Sequence, residues 1–211
     1  MMNPRFASAV DPILSQAIGM LEMLDRGTAL APEIVRERLL AAIDHGNAIM
    51  AHNRSWELAR YGLVAWIDEM LVDHPWEGAR WWSNNVLEVH LFGTRLCSVR
   101  FYEFATEAAK LPERDALEVF YNCVILGFRG MYRQREHAQK VAASLNLPTS
   151  LEAWQQVTNR AICQSLEGLE DNAHSVRPIR GARPSLSRQR TVWWLMAALL
   201  LLAINLIVYR L

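Results

Sequence analysis

Familiar chemistry is missing from this sequence. It has no G-x-x-x-x-G-K-[ST] loop to cradle a phosphate, no G-x-S-x-G elbow and no H-E-x-x-H helix. The six histidines are scattered. His45 and His52 could share a helical face, but no Cys, Asp or Glu completes a ligand set of three or four. Asp73 and His74 beside Glu69 read as a solvated helix end. No catalytic residue, cofactor or metal site is therefore expected. Cysteine is scarce: Cys97, Cys123 and Cys163 are odd in number and form no C-x-x-C pair, so they read as reduced thiols of a cytosolic compartment. The first 24 residues contain no continuous apolar run of the kind a signal peptide needs.

Acidic residues are absent beyond Asp171. All 22 acids and 16 of the 22 bases precede that point, which leaves the body at −6 and the remainder at +6. An acidic body argues against nonspecific nucleic-acid binding. Residues 172–190 carry Arg177, Arg180, Arg183, Arg188 and Arg190 among Pro, Ser and Gly, and read as a basic flexible linker. Residues 191–209 then run nineteen positions without a charge, with Trp193 and Trp194 near one end and Tyr209 at the other. As a helix this stretch spans about 28 Å, the thickness of a bilayer core. A buried core helix is the alternative, but such helices rarely run this long uncharged. Positive flanks stay on the cytoplasmic side. The expected layout is a cytoplasmic body (1–171), the linker (172–190), a membrane helix (191–209) and a periplasmic end (210–211).

The body reads as all-α, with about eight helices. Val10, Leu14, Ala17, Leu21 and Leu24 recur at helical spacing, as do Val35, Leu39, Ala42, Gly46 and Ile49. A third helix is expected over 55–73, capped by Ser55 and ended by Pro75. It should be the most buried, since between Gly62 and Val72 only Asp68 and Glu69 are charged. A fourth is expected over 76–92 with Trp82, Val86 and Val89 inward. A fifth carries Phe101, Phe104, Ala108 and Leu111. A sixth starts at Pro112. A seventh covers about 133–145, and Ser150 caps an eighth with Trp154, Val157 and Ala161 on its inner side.

Asp68 and Glu69 are the exception in a chemically quiet chain. Helix neighbours point about 100° apart, and burying either acid unpaired costs several kcal/mol. Two readings stay open: a buried ion pair plus a surface acid, or an acidic groove that receives a basic partner. Trp76, beside Pro75, could be an exposed contact.

Two blocks then carry a resemblance. Y-G-L-V-A-W-I-D-E-M-L-V-D-H-P-W (61–76) resembles the I-D-E…P-W block of the DotU/IcmH/TssL proteins. L-E-V-F-Y-N-C-V-I-L-G-F-R-G-M-Y-R (117–133) resembles their second block, with Tyr121, Gly127, Phe128, Gly130, Tyr132 and Arg133 in place. Between them the family has a glycine-rich F-F-G-E-T-x-G-G-E-R-F-F segment. Here it reads L-F-G-T-R-L-C-S-V-R-F-Y (91–102), with Cys97 and Ser98 in place of the paired glycines.

The resemblance implies a type VI secretion component of the bacterial inner membrane, with relatives in type IVB secretion. It implies a cytoplasmic domain of two small helical bundles arranged like a hook. It also implies a TssM/IcmF-like partner, baseplate contacts, an indirect link to an outer-membrane lipoprotein, and a tendency to dimerise. Wall anchoring would then fall to a partner, since no peptidoglycan-binding domain is seen. Asp68, Glu69 and Trp76 are the expected partner-facing residues, and Tyr121 to Arg133 the shapers of the second bundle. Asn205, an amide within the apolar stretch, is the expected helix–helix contact. The competing readings are a type IVB component, a tail-anchored peptide-binding regulator, and a membrane-tethered enzyme.

Overall fold

The computed structural model describes residues 2–174, and these residues are all-helical. The stretch 191–209, with Asn205, lies outside the described residues, as does the linker from residue 175 onward. Among the described residues, no helix is long and apolar enough to cross a membrane.

The helices are α1 (Pro4–Asp25), α2 (Pro32–Ile49), α3 (Arg54–Asp73), α4 (Ala79–Asn84), α5 (Leu87–Phe92), α6 (Cys97–Ala108) and α7 (Asp115–Ile125). A 3₁₀ turn (Gly130–Arg133), α8 (Arg135–Ser144) and α9 (Leu151–His174) follow. Asn3 caps α1 through the Arg5 amide, and Gly27, at φ +74°, lets the chain leave it. α1 packs along α2 as a hairpin, while α3 packs against α6 and α7 and also touches α1. The two groups of helices implied by the resemblance thus share α3 and one core, inside one compact unit, Met1–Asp171.

α3 is the centre of that unit. Thirteen of its twenty residues are buried, Trp66 and Tyr61 among them. At Gly62 the α3 backbone meets the Phe120 ring of α7, where an added Cβ would lie 2.8 Å from a ring carbon. Phe101, Phe120 and Phe128 complete the aromatic core, with Phe101 and Phe128 stacked at 4.0 Å. Aromatic pairs of this kind add stability beyond their buried area.

Four expectations need correction. Asn53, not Ser55, caps α3 by accepting from the Trp56 amide at 2.9 Å, and Ser55 lies inside the first turn. The single helix over 76–92 is broken at Asn85 and Val86 into α4 and α5. The break frees the Leu87 and Glu88 amides for a side-chain acceptor, and it turns Val89 out to solvent at 47% exposure. α7 starts at Asp115 rather than Pro112, because the Arg114 guanidinium occupies the Ala109 and Leu111 carbonyls of the preceding turn. On α9 the buried stripe is Trp154, Thr158 and Ile162, while Val157 is 55% exposed. The stripe has slipped by one residue, a shift that apolar spacing alone does not resolve.

Candidate functional site

A groove of about 270 Å³ runs beside α3, lined by Asp68, Glu69, Asp73, Glu88, Arg95 and Arg133. Val72 and Val86 supply apolar walls. Asp68 and Glu69 both reach it, but neither is a free acid. Their divergence on α3 sends them to two different segments of chain.

Asp68 is 3% exposed and accepts three hydrogen bonds: from Trp82 Nε1 at 3.0 Å, the Leu87 amide at 2.9 Å and the Glu88 amide at 2.8 Å. The two amides belong to the first residues of α5, where orphan N–H groups need an acceptor. Burial pushes the Asp68 carboxyl up to about 6; the three donors oppose that rise, and the Glu88 charge reinforces it.

Glu69 points to the exit of α7. It accepts from the Arg129 amide at 2.7 Å and the Gly130 amide at 3.0 Å, and it lies 3.2 Å from an Arg133 nitrogen. Arg133 also forks onto both oxygens of Asp73. Gly130 sits at φ +50°, and a Cβ there would meet the Ser98 carbonyl at 2.8 Å. Only glycine fits that position without displacement. Gly127 precedes it at φ +111°.

Sequence reasoning missed the third carboxylate, Glu88. It is 1% exposed and accepts from Tyr61 Oη at 2.7 Å, Thr94 Oγ1 at 2.8 Å, the Leu96 amide at 2.8 Å and the Cys97 amide at 3.1 Å. Leu96 and Cys97 open α6. Burial acts to raise the Glu88 carboxyl, but the Leu96, Tyr61, Thr94 and Cys97 donors outweigh it and hold the group below the usual carboxylate range. The available signal was composition, since Glu88 is the lone acid between Glu77 and Glu103.

The three acids share one geometry: each carboxylate closes on two successive backbone N–H groups. Asp68 holds the start of α5. Glu88, placed by that grip, holds the start of α6 through the altered 93–97 loop. Glu69 holds the entry to the 3₁₀ turn. The arrangement is a clamp that fixes both walls of the groove. Asp68 is held by two backbone amides and the Trp82 indole, and Glu69 by two backbone amides with Arg133 beside it, so neither acid lacks a donor. Among the described residues no cluster of three or more His, Cys, Asp or Glu could hold a metal ion.

The remaining candidates divide. Trp76 is half-buried, donates its Nε1 to the Leu71 carbonyl at 2.8 Å, and lines a separate cavity with Leu24, Leu30 and Pro75. It is not brought together with Asp68 and Glu69. Phe128 and Tyr132 are core residues, with Tyr132 Oη donating to the Pro148 carbonyl at 2.5 Å, and Tyr121 packs half-buried against the same core.

Comparison with known proteins matches this architecture. The family described as "Type VI secretion system protein DotU" matches residues 5–211. A solved structure, the cytoplasmic domain of TssL from Acinetobacter baumannii, is similar at a TM-score of 0.54 and 22% identity, covering 77% of this chain and 98% of that one. At that identity the likeness speaks for the fold alone. No curated protein matches. With nearly its whole length matched, the chain belongs to the DotU family of type VI secretion system proteins.

Proposed function

We propose that this protein is a structural subunit of the type VI secretion membrane complex, linking a TssM/IcmF-like subunit to the cytoplasmic baseplate. One observation carries the reading: the groove beside α3 has both walls locked by carboxylates gripping backbone amides. A surface held that rigidly loses little conformational entropy when a partner docks. The acids then serve the partner by shaping the groove, and its exposed features, Val72 and the Arg133–Asp73 pair, make the contact.

The apolar stretch 191–209 supports anchoring in the inner membrane with the body on the cytoplasmic side. Confinement to the membrane plane raises effective concentration, so single contacts can be weak. Asn205 is proposed as a helix–helix contact that favours a homodimer or the partner's membrane helix. Trp76 is proposed as a secondary contact just beyond the C-terminal end of α3. The outer-membrane lipoprotein is reached through the TssM-like subunit.

The test is co-purification from membranes of the full chain carrying Val72→Arg, an exposed position outside the clamp. The expected result is loss of the TssM-like subunit or the baseplate proteins at unchanged abundance and melting temperature. Retention of both at wild-type levels would sink the groove reading.

A further inference from the structure

The acids of the groove beside α3 are all engaged, but a second groove on the same body is different. It lies between α2 and α4, with a volume of about 410 Å³. Glu33, Glu37 and Asp44 line it, with Leu40 and Trp81 between them. All three acids project from one stripe of α2, over a rise of about 16 Å. Among the described residues Glu33 and Glu37 make no hydrogen bond or ion pair, and Asp44 accepts only from Asn47 Nδ2, at 3.3 Å. Arg36 is the single cation of the lining, and its buried Nε has no hydrogen-bond partner.

We propose that this groove between α2 and α4 is a second docking surface, which takes an arginine-bearing segment of a partner protein. Charge complementarity selects the occupant. Three carboxylates without a paired cation flank a half-buried floor of Leu40 and Trp81, on a body of net charge −6. A guanidinium suits both features, since its planar fork pairs with carboxylate and its face stacks on indole. Lysine meets the charge but not the stacking geometry. The surface rests on its own observations, so failure of the groove beside α3 leaves it standing.

The test uses the full chain in lipid nanodiscs and a fluorescent helical peptide of about fifteen residues with arginines at i, i+4 and i+11, matching the acid spacing. The expected result is salt-sensitive binding that weakens about tenfold in the Glu33→Gln, Glu37→Gln, Asp44→Asn variant. Ala41→Arg, which places a cation in the groove while leaving the acids, should weaken binding as well. The lysine version of the peptide should bind several-fold more weakly. A control that neutralises three exposed acids elsewhere, Asp11→Asn, Glu103→Gln and Glu113→Gln, should bind as wild type. Equal weakening by the triple variant and the control would show bulk charge only and overturn the proposal. Absence of binding, or indifference to Ala41→Arg, would overturn it too. Equal affinity for the lysine peptide would overturn the choice of arginine.

Discussion

Replacing Asp68 by Asn isolates one grip of the clamp and gives it a pH signature. The Asn oxygen still accepts from Trp82 and Leu87, but its amide nitrogen then faces the Glu88 amide, donor against donor. An orphaned buried N–H costs about 1–3 kcal/mol, so the variant is less stable. The wild-type carboxyl sits at about 6 in the folded protein against a reference of 3.8. Its folded value is raised, so its stabilising contribution is full below the unfolded value and is lost as pH rises through 6. The wild type therefore declines relative to Asp68→Asn by about 2 kcal/mol between pH 4.5 and 7. In melting temperature that is roughly 4–8 °C for a body of this size. The assay is thermal or urea unfolding of both proteins across that range. A stability gap that widens with pH would refute the reasoning, because it would mean that the three donors outweigh burial.

Glu88→Gln should show the opposite slope. Its folded carboxyl is held below the reference of 4.5, so its contribution is present above that value and lost as pH falls through the lowered one. The variant should lose about 3 kcal/mol near neutral pH in urea unfolding, and less in acid. Gly130→Ala should cost roughly 3 kcal/mol, against roughly 1 for Gly93→Ala, by the same assay; both have positive φ but only Gly130 faces a carbonyl at 2.8 Å. Burial and the Glu88 charge push the Cys97 thiol up to about 12, and Cys123 is fully buried. Iodoacetamide at pH 8 should therefore label the exposed Cys163 first, and Cys97 and Cys123 only after denaturant, as read by mass spectrometry.

Much of the fold was legible because helical spacing reports burial directly. α1, α2 and α3 follow from stripes such as Val10 to Leu24 and from the near-uncharged run around Trp66. Legibility ended where a side chain overrode periodicity. The apolar pattern runs unbroken from Trp82 through Val89, yet the helix parts at Asn85 because Asp68 accepts the Leu87 and Glu88 amides. Backbone amides carry no sequence signature, so the sequence offered Asp68 a cationic partner or a cleft, and did not show the Trp82 indole and two backbone amides that hold it. Glu69 shows the same limit, since its two backbone donors lie sixty residues along the chain. The sequence also offered the groove beside α3 as the acidic one, whereas the groove acids without a paired cation are Glu33, Glu37 and Asp44 of α2. Nothing in the spacing of Glu33 and Glu37 points to a groove, since its facing wall is Trp81, which α4 brings in.

The clamp itself is tested most directly by amide hydrogen exchange resolved to single residues. The Leu87 and Glu88 amides should be protected in the wild type and lose protection in Asp68→Ala, with Arg129 and Gly130 unchanged. Glu69→Ala should do the reverse, exposing Arg129 and Gly130 and sparing Leu87 and Glu88. Protection that survives both substitutions, or is lost at all four amides in either one, would contradict the assignment of one carboxylate to each pair.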